Sequence, residues 1–470
     1  MIEMIDKIKN LIDNKIPLGS FGIEREALRV DSEGRLSLEP HPKGLGEKSK
    51  NPYITTDFSE SQVEVITPAF DNVDEVYNFL NVLYDIVVEE IGEEYLWPQS
   101  MPCIIPENIP VAEFGEDESS KEATKYREKL LDKYGGKKQL ISGIHYNFSF
   151  NEELIKEFYK EVSDKLDYKT FKNHIYLKIT RNYLRYRWLI VYLLGSTTTL
   201  HSTYIEECEC RKCFKEVAID SYSHEGGISY RNGECGYKNL VDLFPDYSSV
   251  AGYVQSLKDF IGDGLIESHK ELYSQIRLKP RNPKDFFNSL LQGGIKYLEY
   301  RTIDVNPFEK GGISLGDLKF LEIFNLFLLL KDESNYDMWQ EEALENQNLI
   351  AKFGKKDIKL KRDGEYISKS QWALDILEEV RCICKELRLS NDETIDEMVA
   401  RVKDINLTYA HRIEEKVKKE GYVNAYLTLA KKYKECAKNN TNKLPGYENL
   451  ELWAQKLIRD AIKDGGNNFQ

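Results

Sequence analysis

Two carboxylates two residues apart, Glu24 and Glu26, lie in residues 21–30, FGIEREALRV. Written as a β-strand, this stretch alternates its side chains between two faces. Gly22, Glu24, Glu26, Leu28 and Val30 fall on one side, and Phe21, Ile23, Arg25, Ala27 and Arg29 on the other. Like charges at that spacing repel, so a fold that keeps them together calls for a counter-cation. Later strands repeat the theme. Asp57 precedes residues 62–67, where Glu64 shares parity with Glu60 and opposes Val63 and Val65. In residues 141–150, His145 and Asn147 oppose Ile144, Tyr146, Phe148 and Phe150. In YLEYRTIDV, Glu299 and Arg301 share a face with Tyr297. If these faces line one cavity, they make a nest of oxygen donors with one imidazole. Such a set suits Mg²⁺ or Mn²⁺ and, through them, substrate phosphates. Zinc fits less well, because carboxylates dominate and the cysteines lie elsewhere. The competing reading is ordinary charge on half-exposed strand faces.

Other chemistries find less support. There is no GxxxxGK[ST] loop, and no GxGxxG follows a strand. Bound ATP would therefore rely on metals and basic side chains, with Arg277 and Lys279 of ELYSQIRLK and Arg301 as candidates. No Gly-x-Ser-x-Gly elbow supports a serine hydrolase. Cys208, Cys210 and Cys213, with His201 upstream, could hold zinc, but their spacing lacks paired knuckles. A reduced, flexible thiol loop is the expectation.

The bulk properties set outer limits. The chain has 470 residues, 41% hydrophobic and 31% charged, with a formal net charge of −14. It shows no long basic block, which argues against nucleic acid as a partner. The N-terminus lacks a basic segment followed by an apolar one, so it does not read as a signal peptide. The most apolar run, residues 188–200, is too short to span a bilayer. Eight cysteines without a secretory signal point to a reducing cytoplasm. The oligomeric state is left open, with a monomer favoured.

The elements that would position these residues follow from periodicity. Ile2, Ile5, Ile8, Leu11 and Ile12 have helical spacing, as do Val73, Val76, Phe79, Leu80, Leu83, Val87 and Val88. Strands are predicted at 21–30, 62–67, 141–150, 272–278 and 295–305. Helices are predicted near 152–166, 170–195 and 247–269. After residue 308 no strand is expected, and helices are predicted at 315–332, 335–353, 368–388, 392–403, 408–437 and 449–463. This layout predicts an α+β fold on a mostly antiparallel sheet. It divides the chain into a catalytic core, 1–308, and a helical region, 309–470.

The stretches GIEREALRV, ITTDFSESQVEVITP, WPQSMPC, KYREKL, KYGG, ISGIHYNFS, RNYLRYRW, SYRNGECGY, ELYSQIRLK and GGIKYLEYRTIDVNPF resemble the proteobacterial type of glutamate–cysteine ligase, in family order across residues 22–308. The last 160 or so residues resemble the family only as a helical segment. The resemblance implies a curved, mostly antiparallel sheet with a glutamine synthetase-like core. It also implies ATP-dependent joining of the L-glutamate γ-carboxylate to the amino group of L-cysteine, the first step of glutathione synthesis. It implies two or three Mg²⁺ ions, replaceable by Mn²⁺, held by Glu24, Glu26, Asp57, Glu64, His145 and Glu299. Arg301 would act with Glu299 on the transferred phosphoryl group. Arg231 would bind glutamate, and Phe58, Tyr126, Arg127, Leu130, Tyr237 and Tyr273 would line the substrate pocket. Arg277 and Lys279 would lie near the nucleotide. Two departures stand out: residues 196–225 have little family likeness, and Glu234-Cys235 replaces the usual Asp-Leu beside Tyr237. They leave a γ-glutamyl ligase with a different amine acceptor as the alternative. A metal-binding regulatory protein on the same scaffold is disfavoured by the intact carboxylate set. Some family members carry a second, glutathione-forming domain; none is expected within this chain, which ends at Gln470.

Overall fold

The computed structural model describes residues 2–160, 166–208, 211–439 and 444–464. Its centre is one antiparallel sheet. The strands are β1 (Gly19–Val30), β2 (Ile54–Thr56), β3 (Gln62–Ile66), β4 (Tyr95–Leu96), β5 (Ile144–Phe150), β9 (Ile276–Lys279) and β10 (Tyr297–Ile303), in the order β2-β3-β1-β5-β10-β9 with β4 added to β1. Between β5 and β9 in the chain, β6 (Thr199–His201), β7 (Lys215–Ala218) and β8 (Ser221–Ser223) form a separate three-stranded sheet.

Register decides which residues meet. Glu26 lies opposite Glu64, and Glu24 opposite His145. Glu299 lies opposite Asn147 on one side and Arg277 on the other, with Tyr297 opposite Lys279. Directly paired residues share a face in an antiparallel sheet, so these polar groups form one row across β3, β1, β5, β10 and β9. The other face carries Phe21, Ile23, Val63, Val65, Ile144, Tyr146, Phe148, Leu278, Leu298 and Tyr300, all buried. Against this apolar face pack the helices Val73–Glu90, Tyr168–Leu194 and Leu315–Leu330. Slipping any one strand by a single residue would exchange the two faces.

The α+β prediction and the main strands agree with the structure. Two local expectations do not. Residues after 308 contain a hairpin, β11 (Lys359–Arg362) with β12 (Glu365–Ser368). Its turn residues Asp363 and Gly364 both have positive φ, the conformation a two-residue hairpin needs. The Asp-Gly signal was present; the charged strands KLKR and EYIS hid the alternation, in which only Leu360 is fully buried. The predicted helix 408–437 is two helices, Tyr409–Glu420 and Tyr422–Lys438, broken where Gly421 adopts φ 78°. Helices after residue 308 share the apolar core of the sheet. Among the described residues, no helix is long and apolar enough to cross a membrane.

Candidate active site

The polar face of the sheet floors a cavity of about 1000 Å³. Glu24, Glu26, Asp57, Phe58, Glu64, Tyr126, Arg127, Leu130, His145, Arg231, Tyr237, Tyr273, Arg277, Lys279, Glu299 and Arg301 all line it. Every site residue expected from the sequence is thus brought to one place. Glu60, which has the parity of Glu64, is not among them. It is held by Lys48 and accepts from the backbone of His41 and Glu113.

The carboxylates divide into two halves with opposite electrostatics. In the first, Asn147 Nδ2 donates to Glu24 Oε1 at 2.9 Å, and His145 Nδ1 lies 3.3 Å from Glu24 Oε2. Arg301 Nη1 donates to Glu299 Oε1 at 3.1 Å, and Lys279 Nζ lies 3.3 Å from Glu299 Oε2. Burial pushes both carboxyls up. The His145 hydrogen bond and Lys279 outweigh that for Glu24, and Lys279, Arg301 and Arg277 outweigh it for Glu299, so both are lowered and ionised. Burial and then Arg301 keep His145 below its ordinary value, hence neutral.

In the second half burial and neighbouring carboxylates outweigh the nearby cations, Arg301, Arg231 and Arg127. Burial, then the neighbouring Asp57 charge, raises Glu26 to about 8. The same two causes, with Glu24 and Glu26, raise Glu64 well above its ordinary value. Arg127 does not neutralise this half directly: it bonds the Asp57 and Ala123 carbonyls and stacks on Phe114. Carboxyls left short of counter-charge are what a divalent cation would satisfy. One donor atom each from Glu24, Glu64 and His145 lie within 4.8 Å of one another. The residues therefore fit an oxygen-rich site with one imidazole, the donor set of Mg²⁺ or Mn²⁺.

Arg231 stands apart from this row. It sits on the short turn Tyr230–Asn232, and its guanidinium lies against Gly143, where a Cβ would collide with it. Gly143 N–H in turn donates to Glu26 Oε2 at 2.8 Å. The Arg231 guanidinium makes no hydrogen bond to another of the described residues, and it faces the cavity. On the far wall, the hydroxyls of Tyr237 and Tyr273 bond each other, with ring centroids 4.1 Å apart. Tyr134 packs edge-on against both. Phe58, Tyr126 and Leu130 line the same cavity as Tyr237 and Tyr273. Gln139 also lines the cavity, with its side chain at the Tyr237 hydroxyl. Neither Tyr134 nor Gln139 was picked out from sequence; Tyr134 lies inside the quoted KYGG stretch. Arg277 is already engaged, since its Nε and Nη2 donate to the Lys270 and Leu272 carbonyls.

The cysteine cluster requires a correction. Cys208 is disulfide-bonded to Cys235, two residues before Tyr237. This removes Cys208 from any thiolate set and replaces the expected reduced loop. Cys210 lies outside the described residues, and Cys213 is exposed. His201 Nδ1 pairs with Thr203 instead of reaching a cysteine.

Comparison with known proteins agrees with this geometry. The sequence profile of the Glutamate-cysteine ligase family matches residues 7–265 and 260–350, well past the stretches quoted above. A bifunctional glutathione biosynthesis protein, GshAB, of Clostridium perfringens is 40% identical over 95% of this chain. This chain spans only 58% of that relative's length. A glutamate–cysteine ligase of Clostridium acetobutylicum is 34% identical, over 89% of this chain and 95% of its own. The crystal structure of the Francisella tularensis glutamate–cysteine ligase, in complex with AMP, superposes with TM-score 0.84 at 27% identity, covering 96% of this chain and 95% of that one. By sequence profile, by close relatives and by fold, the chain belongs to the glutamate–cysteine ligase family.

Proposed function

We propose that the chain joins the γ-carboxylate of L-glutamate to the amino group of L-cysteine, consuming ATP. The observation that carries this is the two-sided electrostatics of the sheet face. A cation-rich half beside a carboxylate-rich half is what phosphoryl transfer to a carboxylate needs.

A carboxylate is a poor acyl donor because oxide is a poor leaving group. Attack of the glutamate γ-carboxylate oxygen on the γ-phosphorus of ATP releases ADP and makes γ-glutamyl phosphate. The cysteine amine then attacks the acyl carbon, phosphate leaves with the carbon–oxygen bond electrons, and the amine gives up a proton. Phosphoryl transfer depends mostly on positioning and on neutralising charge. Arg301 and Lys279, both tied to Glu299, would face the transferred group. Glu24, Glu26, Asp57, Glu64, His145 and Glu299 would hold Mg²⁺, which when bound would neutralise phosphate oxygens. Arg231 would take the glutamate carboxylate that is not phosphorylated. Phe58, Tyr126, Leu130, Tyr237 and Tyr273 would take a side chain the size of a thiomethyl group.

ADP release with glutamate and a panel of amines tests the reading. Cysteine should be the best acceptor. With 2-aminobutyrate the rate should be usable but lower, since such pockets discriminate by about 1–3 kcal/mol. Equal use of bulky amines would reassign the acceptor, and release independent of glutamate would reject the donor.

A further inference from the structure

Asp304 lies one residue beyond β10, the strand that carries Glu299 and Arg301. Its carboxylate is 1% exposed and has no ion pair within the described residues. It accepts four hydrogen bonds instead. Ser196 N–H and Thr197 Oγ1 donate to Oδ2 at 2.9 and 2.8 Å. Ser229 Oγ and Asn232 Nδ2 donate to Oδ1 at 3.0 and 3.2 Å.

These partners converge on one turn. Ser229 caps Tyr230–Asn232 by accepting from Asn232 N–H, and Asn232 closes it. Arg231 N–H donates to Thr197 Oγ1 at 3.2 Å, and Tyr230 N–H to the Thr197 carbonyl at 2.7 Å. One carboxylate therefore holds both ends of the turn and the threonine that receives its middle. It is also the foremost attractive charge felt by the Arg231 guanidinium. Asn232 Nδ2 additionally donates to the Thr302 carbonyl on β10, which ties the turn to the strand of the phosphoryl-handling residues.

We propose that Asp304 is a positioning residue for glutamate, fixing the Ser229–Asn232 turn so that the Arg231 guanidinium stands over Gly143 at the height of the donor's unphosphorylated carboxylate. This rests on the reading of the site as a glutamate-activating ligase. Ser196 and Thr197, from the segment without family likeness, supply half of the anchor. A buried carboxylate with four donors and no ion pair is a costly way to build a turn, and its return is a cation held at a fixed point relative to β10.

The test compares Asp304→Asn, Asn232→Ala, Arg231→Gln and the Asp304→Asn/Arg231→Gln double variant by steady-state kinetics. Asp304→Asn should raise the glutamate KM about tenfold or more, the scale of effect expected when a binding group is misplaced by an ångström or so. The ATP and cysteine KM values and kcat at saturating glutamate should stay within about threefold, because Arg301 and the metal-facing carboxylates are untouched. Adding Asp304→Asn to Arg231→Gln should change the glutamate KM little further, since both act through one group. Asn232→Ala should reproduce the KM effect, and it carries the test if Asp304→Asn fails to fold. Additive effects in the double variant, or equal losses across all substrates, would overturn the proposal. A normal glutamate KM in both Asp304→Asn and Asn232→Ala, beside a raised one in Arg231→Gln, would overturn it alone. A normal KM in Arg231→Gln would overturn the site reading itself.

Discussion

Glu26 offers a test that needs no substrate. Burial and the Asp57 charge hold its carboxyl at about 8, against an ordinary 4.5. A carboxyl with a raised folded value stabilises the fold while it is protonated. That contribution is full below about pH 4.5 and is lost as the pH rises through about 8. The full shift corresponds to about 5 kcal/mol at about 1.4 kcal/mol per unit, and about 2 kcal/mol of it falls between pH 6 and 8, the group being half-titrated at the upper end. At about 2 cal/mol/K per residue, unfolding a chain this long as one unit carries about 1 kcal/mol/K, so this group alone should lower the thermal midpoint by about 2 °C over that interval. Glu24 and Glu299 are lowered instead, so their contributions disappear only on the acid side, below about 4.5. The lowered histidines, His145 among them, act in the opposite direction as the pH falls through about 6.5. Glu26→Gln isolates the one group, because a glutamine oxygen can still accept from Gly143 N–H. Melting curves of wild type and Glu26→Gln in EDTA, from pH 6 to 8, should diverge, with the wild type losing ground. Millimolar Mg²⁺ should shrink or reverse the gap, since a cation replaces the proton on the ionised carboxylate. Parallel pH profiles in EDTA, or a gap indifferent to Mg²⁺, would refute the argument that this half of the site is short of positive charge.

Other outcomes follow from single contacts. Gly143→Ala puts a methyl group where the Arg231 guanidinium lies. The fold should tolerate it, because the side chain can swing away, but the glutamate KM should rise; an unchanged KM would remove Arg231 from glutamate binding. Cys208→Ser opens a link between positions 27 residues apart. The chain-entropy model gives a loss of about 3–4 kcal/mol, read as a lower urea midpoint, whereas Cys213→Ser should change nothing. A wild-type midpoint unmoved by reductant would contradict the bond.

The site was more legible in the sequence than its supports. Alternation in β1, β3, β5 and β10 assigned Glu24, Glu26, Glu64, His145 and Glu299 to faces, and antiparallel pairing then placed those faces side by side. The prediction worked because each strand has one strongly apolar face to fix its register. Asp57 and the Tyr237–Tyr273 pair sit on irregular backbone, where no periodicity exists: Asp57 was found as the acid just ahead of β3, and only the family resemblance pointed to the tyrosines. The two departures from the family pattern, the cysteine cluster and Cys235, turned out to be two ends of one disulfide. Sequence spacing cannot show such a pairing, because 26 intervening residues set no distance between the two cysteines. The β6-β8-β7 sheet was missed because its strands are three or four residues long and carry few apolar side chains.

The central claim is that γ-glutamyl phosphate forms before the amine reacts, and hydroxylamine tests it most directly. With ATP, Mg²⁺, L-glutamate and hydroxylamine, but no cysteine, the enzyme should make γ-glutamyl hydroxamate with a matching amount of ADP. Glu299→Gln and Arg301→Ala should cut trapping by about a hundredfold or more, the usual effect of removing a stabiliser of developing charge. Appearance of AMP and pyrophosphate in place of ADP would contradict the account, because it would mean that the carboxylate is activated as an adenylate.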